Sequence, residues 1–312
     1  MSDGKHWSEQ KEHFHRWQMS FILTLVRFLP GVLVRIVAVP IGFFYWMASG
    51  KQRKAISEYL SRINSGRCCC TLKVFLAFAI TVIEKVESWA GKIKFGKIAF
   101  QKDDINEIWK SLEQNRGALL ICSHLGNMEL LRAIADCDQI GISRRVPIIS
   151  VVDFAITSGF NQMLKEMNPS SMLHLISADD VGPDTMIQLQ EHIASGGIVV
   201  IAGDRSPAGN PERIFELDFL GKSAQFPQGP FVIASLLDVP TYFVFAMRQG
   251  TVSVQANYNM HIHRSSVAFA CGRSERQLRI KVLAEEFVRY LEKYCKKYPY
   301  QWYNFYEFWE KR

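Results

Sequence analysis

His124 and Glu129 close an apolar run in the segment Ala118-Leu-Leu-Ile-Cys-Ser-His124-Leu-Gly-Asn-Met-Glu129-Leu-Leu-Arg132. An imidazole beside a carboxylate can take a proton from a hydroxyl, with the carboxylate fixing the ring's tautomer. On one continuous helix, residues at this spacing would not share a face. They converge when His124 precedes a helix and the chain turns through Gly126-Asn127. Glycine permits that turn, and Asn127 is a good cap for a helix starting at Met128. Glu129 then lies in the first turn, at the positive end of the helix dipole, which also favours a neutral imidazole. A capped helix with a solvent-facing histidine fits the same residues, since His-x4-Glu alone is a weak motif.

Other residues could join such chemistry. Asp204 and Arg205 follow an apolar strand, where Arg205 can clamp a phosphate or carboxylate, or the two can form a turn ion pair. Asn161, after Phe160 at the start of a helix, can touch substrate or cap that helix. Lys222 in Phe-Leu-Gly-Lys can face an acidic partner or solvent. Cys122 shares a strand face with His124, but same-face neighbours lie ~7 Å apart, beyond hydrogen-bond reach, so a small buried filler is expected. His261 and His263 also share a face, yet no third ligand accompanies them, and no metal is expected.

The elements that would position these groups follow from hydrophobic periodicity. Apolar runs at 118–123, 146–152, 173–177, 198–202, 240–247 and 251–257 are expected to be strands. Amphipathic segments at 128–136, 157–166, 184–195, 229–237 and 274–297 are expected to be helices. Their alternation predicts an α/β fold, a mixed and mostly parallel sheet flanked by helices. In such sheets ligands gather at the carboxyl ends of strands, where both His124 and Asp204 fall.

The first 67 residues read differently. They hold ten Lys/Arg against four Asp/Glu, which is most of the chain's net charge of +7. Basic residues interleaved with long aliphatic runs favour a membrane surface over nucleic acid as partner. The longest uncharged run, 36–50, is shorter than the ~20 residues of a spanning helix, and Pro30 and Pro40 interrupt the apolar stretch. Ser20, Thr24, Arg27, Gly31 and Arg35 form a polar stripe that suits a helix lying in the interface with its arginines snorkelling; a buried hairpin fits the same pattern. Residues 51–67 and 71–89 read as two further helices, and nothing at the start reads as a secretory signal. The expected division is 1–67, membrane-associating, and 68–312, the α/β domain. Seven cysteines without a regular framework suggest a reducing compartment.

The motif Ser-His124-Leu-Gly-Asn-Met-Glu129 resembles the His-x4-acid signature of the glycerolipid and lipid A acyltransferase superfamily. More narrowly, the chain is similar to the bacterial lipid A late-acyltransferase-like family, in the branch accompanying aryl polyene-type gene clusters. Supporting segments occur in order: His6-Trp7, Phe160-Asn161, Val200-Ile-Ala-Gly-Asp204-Arg205, Phe219-Leu-Gly-Lys222 to Gly229-Pro230, and Tyr298-Pro-Tyr-Gln301-Trp302-Tyr-Asn-Phe305. Two features depart from that pattern: Arg205 stands where glutamine is commoner, and the N-terminal apolar segment is broken. The resemblance implies an enzyme moving a fatty or polyenoic acyl group from an acyl-carrier-protein or CoA thioester to a hydroxyl of a lipid-like acceptor. It places the enzyme at the cytoplasmic face of a bacterial inner membrane and requires no cofactor. His124 would be the base and Glu129 its orienting acid, with amides near Gly126 and Asn127 as oxyanion donors and Asn161, Asp204, Arg205 and Lys222 toward substrate. A thioesterase using the same pair, or a non-catalytic lipid-binding module, are the alternatives.

Overall fold

Strand β2 (Ala118–Gly126) sits at the centre of a sheet that has seven strands among the described residues, because both of its faces are apolar. Alternate residues feed two different cores, Leu119 and Ile121 one, Leu120 and Cys122 the other. The computed structural model describes residues 24, 26, 28–63, 71–93, 95–100, 102–131, 146–152, 173–178, 181–205 and 213–309. Around β2 run β1 (Ile98–Phe100), β3 (Ile148–Val152), β4 (Leu173–Ser177), β5 (Ile198–Ala202), β8 (Thr241–Arg248) and β9 (Tyr258–Arg264), in the order β1-β9-β8-β2-β5-β3-β4. Strands β2, β3, β4, β5 and β8 are mutually parallel. β9 is antiparallel to β8, and β1 parallels β9. The mixed, mostly parallel α/β sheet expected from the sequence is the one found.

Helices close both faces. Preceding and following β1 come α1 (Gly31–Ala48), α2 (Gly50–Arg62), α3 (Thr71–Trp89) and α4 (Lys102–Glu113); α5 (Pro183–Ala194), α6 (Gly229–Leu237) and α7 (Arg273–Lys297) come later. Leu283, Phe287 and Leu291 of α7 bury against one face together with Tyr59 and Leu60 of α2 and Phe75 of α3. Ile105, Ile108 and Leu112 of α4 cover the other. A hairpin of β6 (Ile214–Phe219) and β7 (Lys222–Pro227) forms its own two-stranded sheet.

Two expectations are corrected. Residues 251–257 are not a strand: they wrap the Arg248 guanidinium, which donates to the carbonyls of Gly250 (2.8 Å), Ser253 and Gln255 (3.1 Å), and the strand follows at β9. Arg35 does not snorkel outward. It is buried on α1, paired with Glu87 and 3.4 Å from Glu84 of α3, and Glu84 in turn holds Arg248 at 2.9 Å. Gly31, one turn before Arg35, lies so close to Glu87 that a Cβ would overlap its carboxylate. The inner edge of the polar stripe therefore faces α3, while Ser20 and Arg27 lie outside the described residues. The opposite face of α1 is uncovered: Val32, Leu33, Ile36, Val37, Ile41 and Phe44 are exposed. α1 runs unbroken through Pro40 and, with a mean hydropathy of 1.8, is long and apolar enough to cross a membrane.

Candidate active site

His124 lies where β2 departs from the sheet. Pairing with β8 is regular to Cys122–Val244 and resumes at Gly126–Ala246, so four steps on β2 match two on β8. The surplus residues bow out of the ladder, as in a β-bulge, and re-aim the side chains there. Three contacts hold the bow. The Leu125 amide donates to Ser123 Oγ (3.3 Å), Gly126 N–H to the Gln301 carbonyl (2.8 Å) and Asn127 N–H to the Ala246 carbonyl (2.9 Å). Gly126 has φ +81°, and a Cβ there would lie 2.1 Å from the Ala246 carbonyl oxygen, so the turn requires glycine. Asn127 accepts from the Glu129 amide (3.2 Å) and caps a short 3-10 turn, Met128–Leu130; residues 132–136 of the expected helix lie outside the described residues.

The carboxylate that meets the imidazole is Asp204, just past the end of β5. Its Oδ1 is 2.8 Å from His124 Nδ1, and its Oδ2 accepts the His124 backbone N–H at 2.9 Å and Trp302 Nε1–H at 3.2 Å. Asp204 is buried, so each oxygen's partners matter. Burial pushes its carboxyl pKa up, but His124, Arg205 and the donated N–H outweigh it and hold it below the ordinary carboxylate value. An ionised carboxylate only accepts, so Nδ1 carries the proton and Nε2 the lone pair. Burial, reinforced by the positive Arg205 and Lys85, lowers the His124 pKa against the opposing pull of Asp204. The resting ring is neutral, the form a base must have.

Glu129, expected at the ring, leaves Nδ1 to Asp204. Its backbone carbonyl accepts from Ser88 Oγ (3.0 Å), and its charge acts on Lys85 and Cys122. Arg205 donates to the Tyr303 carbonyl (3.1 Å) and so ties the strand end to the C-terminal segment. The Gly126 and Asn127 amides, expected as oxyanion donors, are committed to carbonyls. Lys222 is exposed on the β6–β7 hairpin, and Asn161 lies outside the described residues. Cys122 is buried with its thiol against the Ile201 carbonyl (3.3 Å) and its pKa pushed far up by burial, which suits a filler. His261 and His263 stack on Tyr294 and Tyr290, and among the described residues no cluster could hold a metal.

Two residues were not picked out for the site from sequence. Trp302 packs among Tyr59, Phe219 and Phe308 and bridges Leu125, bringing its indole to Asp204. Its signal was the Gln301-Trp302 pair, visible only as family likeness. Lys85 stands beside Glu84 in the otherwise apolar Val82–Val86 stretch of α3, a pair of charges that can be seen in sequence but names no partner there.

Compared with known proteins, the chain matches a family model described as bacterial lipid A biosynthesis acyltransferase over residues 5–311, and it belongs to that family. No curated protein matches it.

Proposed function

We propose that this bacterial lipid A-type acyltransferase moves an acyl group from a carrier-protein or CoA thioester to a hydroxyl of a lipid-like acceptor, with His124 as general base. The observation that carries the reading is the Asp204–His124 hydrogen bond at a strand end, which presents Nε2 as a proton acceptor. As the acceptor oxygen bonds to the thioester carbon, its proton passes to Nε2. The carbonyl electrons move to oxygen, then return to expel the thiolate, which takes the proton back from the imidazolium. Asp204 orients the ring and stabilises its transient charge, the part an acid plays in a triad. Glu129 provides the counter-charge for Lys85. Arg205 holds Tyr303 and with it the wall of the site, and Asn127 fixes the turn.

The uncovered face of α1 supports docking on the cytoplasmic leaflet, with the basic start of α2 (Lys51, Arg53, Lys54) at the headgroups. The 1–67 segment would then be the membrane-associating part and 68–312 the catalytic part. The test is mass spectrometry of products when thioesters of graded chain length are offered with bacterial lipid extract. A lipid heavier by one acyl group is the expected product. Fatty acid alone would indicate a thioesterase, and no product from any donor would refute the transferase.

A further inference from the structure

One face of α3 lines the site. Thr81 Oγ1 pairs with the Tyr303 hydroxyl at 2.8 Å, and Ser88 Oγ donates to the Glu129 carbonyl at 3.0 Å. Tyr303 N–H in turn reaches the His124 carbonyl at 3.4 Å. Lys85 lies four residues after Thr81 and three before Ser88, so it projects from the same helix face, between those two anchors. It is half-buried there, and its charge is felt by His124 and Cys122.

The site needs a donor for the charge that forms on the acyl oxygen. The two turn amides that would be the ordinary choice are already committed, Gly126 to Gln301 and Asn127 to Ala246. We infer that Lys85 is a catalytic residue of this site, its ammonium receiving the negative charge that develops on the thioester carbonyl oxygen as the acceptor attacks. The inference rests on the acyl-transfer reading above. The groups whose charge acts on His124 or Lys85 are Asp204 and Arg205 after β5, Cys122 on β2 and Glu129 in the 3-10 turn. On α3 itself, Glu84 turns to Arg248. The ammonium acts as the carbonyl becomes an oxyanion; when the C–S bond breaks, the oxyanion's electron pair re-forms the carbonyl, the thiolate leaves with the C–S pair, and Lys85 keeps its protons throughout.

The test is Lys85→Met, with Lys85→Gln as second variant should the first not fold. Loss of an oxyanion donor typically lowers turnover ~10²–10³-fold, so kcat should fall by about that much while KM for the thioester stays within about 3-fold. Removing a cation beside His124 also raises the imidazole pKa, so the acid limb of kcat/KM moves to higher pH. NMR titration of the resting enzyme shows the same rise without substrate. Thr81→Val, a neutral change on the same face, should lower Tm and leave that limb in place. A wild-type enzyme that transfers while a folded Lys85 variant keeps its kcat within about 3-fold would overturn the inference alone. A wild-type enzyme that transfers nothing would instead remove the reading beneath it.

Discussion

Asp204→Asn is the substitution whose outcome follows most closely from the geometry. Three donors converge on this carboxylate: His124 Nδ1–H on one oxygen, and the His124 amide and Trp302 Nε1–H on the other. Asparagine has one oxygen. Facing it toward the amide and the indole satisfies two donors and turns the NH2 group on Nδ1. The ring then moves its proton to Nε2, so that Nδ1 accepts and no lone pair is left for the acceptor hydroxyl. The opposite orientation points NH2 at two donors in a buried site, at a cost of about 1–3 kcal/mol for each group left unmade. The first orientation therefore wins, and the fold survives with the wrong tautomer. An analogous change in a serine protease triad lowers kcat about 10⁴-fold, equivalent to roughly 5.5 kcal/mol of barrier. Turnover of labelled thioester should fall by that order while Tm drops only a few degrees, and nitrogen NMR of the ring should show the proton on Nε2. An Asp204→Asn enzyme retaining more than about a tenth of wild-type kcat would show that another acid, such as Glu129, fixes the ring.

Three further outcomes are expected. Glu84→Ala removes the anion between buried Arg35 and Arg248 and should cost about 3–5 kcal/mol, read by denaturant unfolding; a loss under about 1 kcal/mol would show the network to be solvated. Replacing Ile36, Ile41 and Phe44 together by glutamate on the uncovered face of α1 should abolish co-sedimentation with anionic vesicles at unchanged Tm, and retained binding would place the membrane contact elsewhere. Burial lowers the pKa of His124, His192 and His261, the last to about 4 from the ordinary 6.5. Between those values the unfolded chain binds more protons than the folded one, so stability is fully present above about 6.5 and declines as pH falls toward 4. A Tm that stays level from pH 7 to 4.5 would contradict it.

The alternation of apolar runs with amphipathic segments was enough to read the sheet and, among the described residues, the helices α5, α6 and α7, because strands buried on both faces, such as β2 and β5, announce themselves as continuous aliphatic runs. The helix expected at 157–166 lies outside the described residues. The 251–257 segment misled because Thr251, Val252 and Val254 have strand propensity, while its actual task is to supply carbonyls to Arg248, a tertiary demand invisible to local pattern. The β6–β7 hairpin went unread because its turn runs through Leu220 at φ +51° and Gly221, and a leucine there carries no turn signal. His124 was legible as an imidazole at a strand end. The carboxylate that bonds it was not: Asp204 reaches it across 80 positions of sequence, brought there by the pairing of β2 with β5 and then by the bow in β2. Glu129 was expected from the Gly126-Asn127 turn and the His-x4-acid likeness, neither of which carries information on a contact made across the sheet. Lys85 shows the same limit from the other side, since only the packing of α3 over the 3-10 turn gives its charge a neighbour.

Whether His124 is the base of the proposed acyl transfer is decided by a single-turnover comparison of wild type with His124→Ala. With thioester and bacterial lipid extract in common, wild type should give an acylated lipid and the variant a rate about 10²–10⁴-fold lower, at unchanged thioester binding. Equal rates from the two proteins would contradict that role.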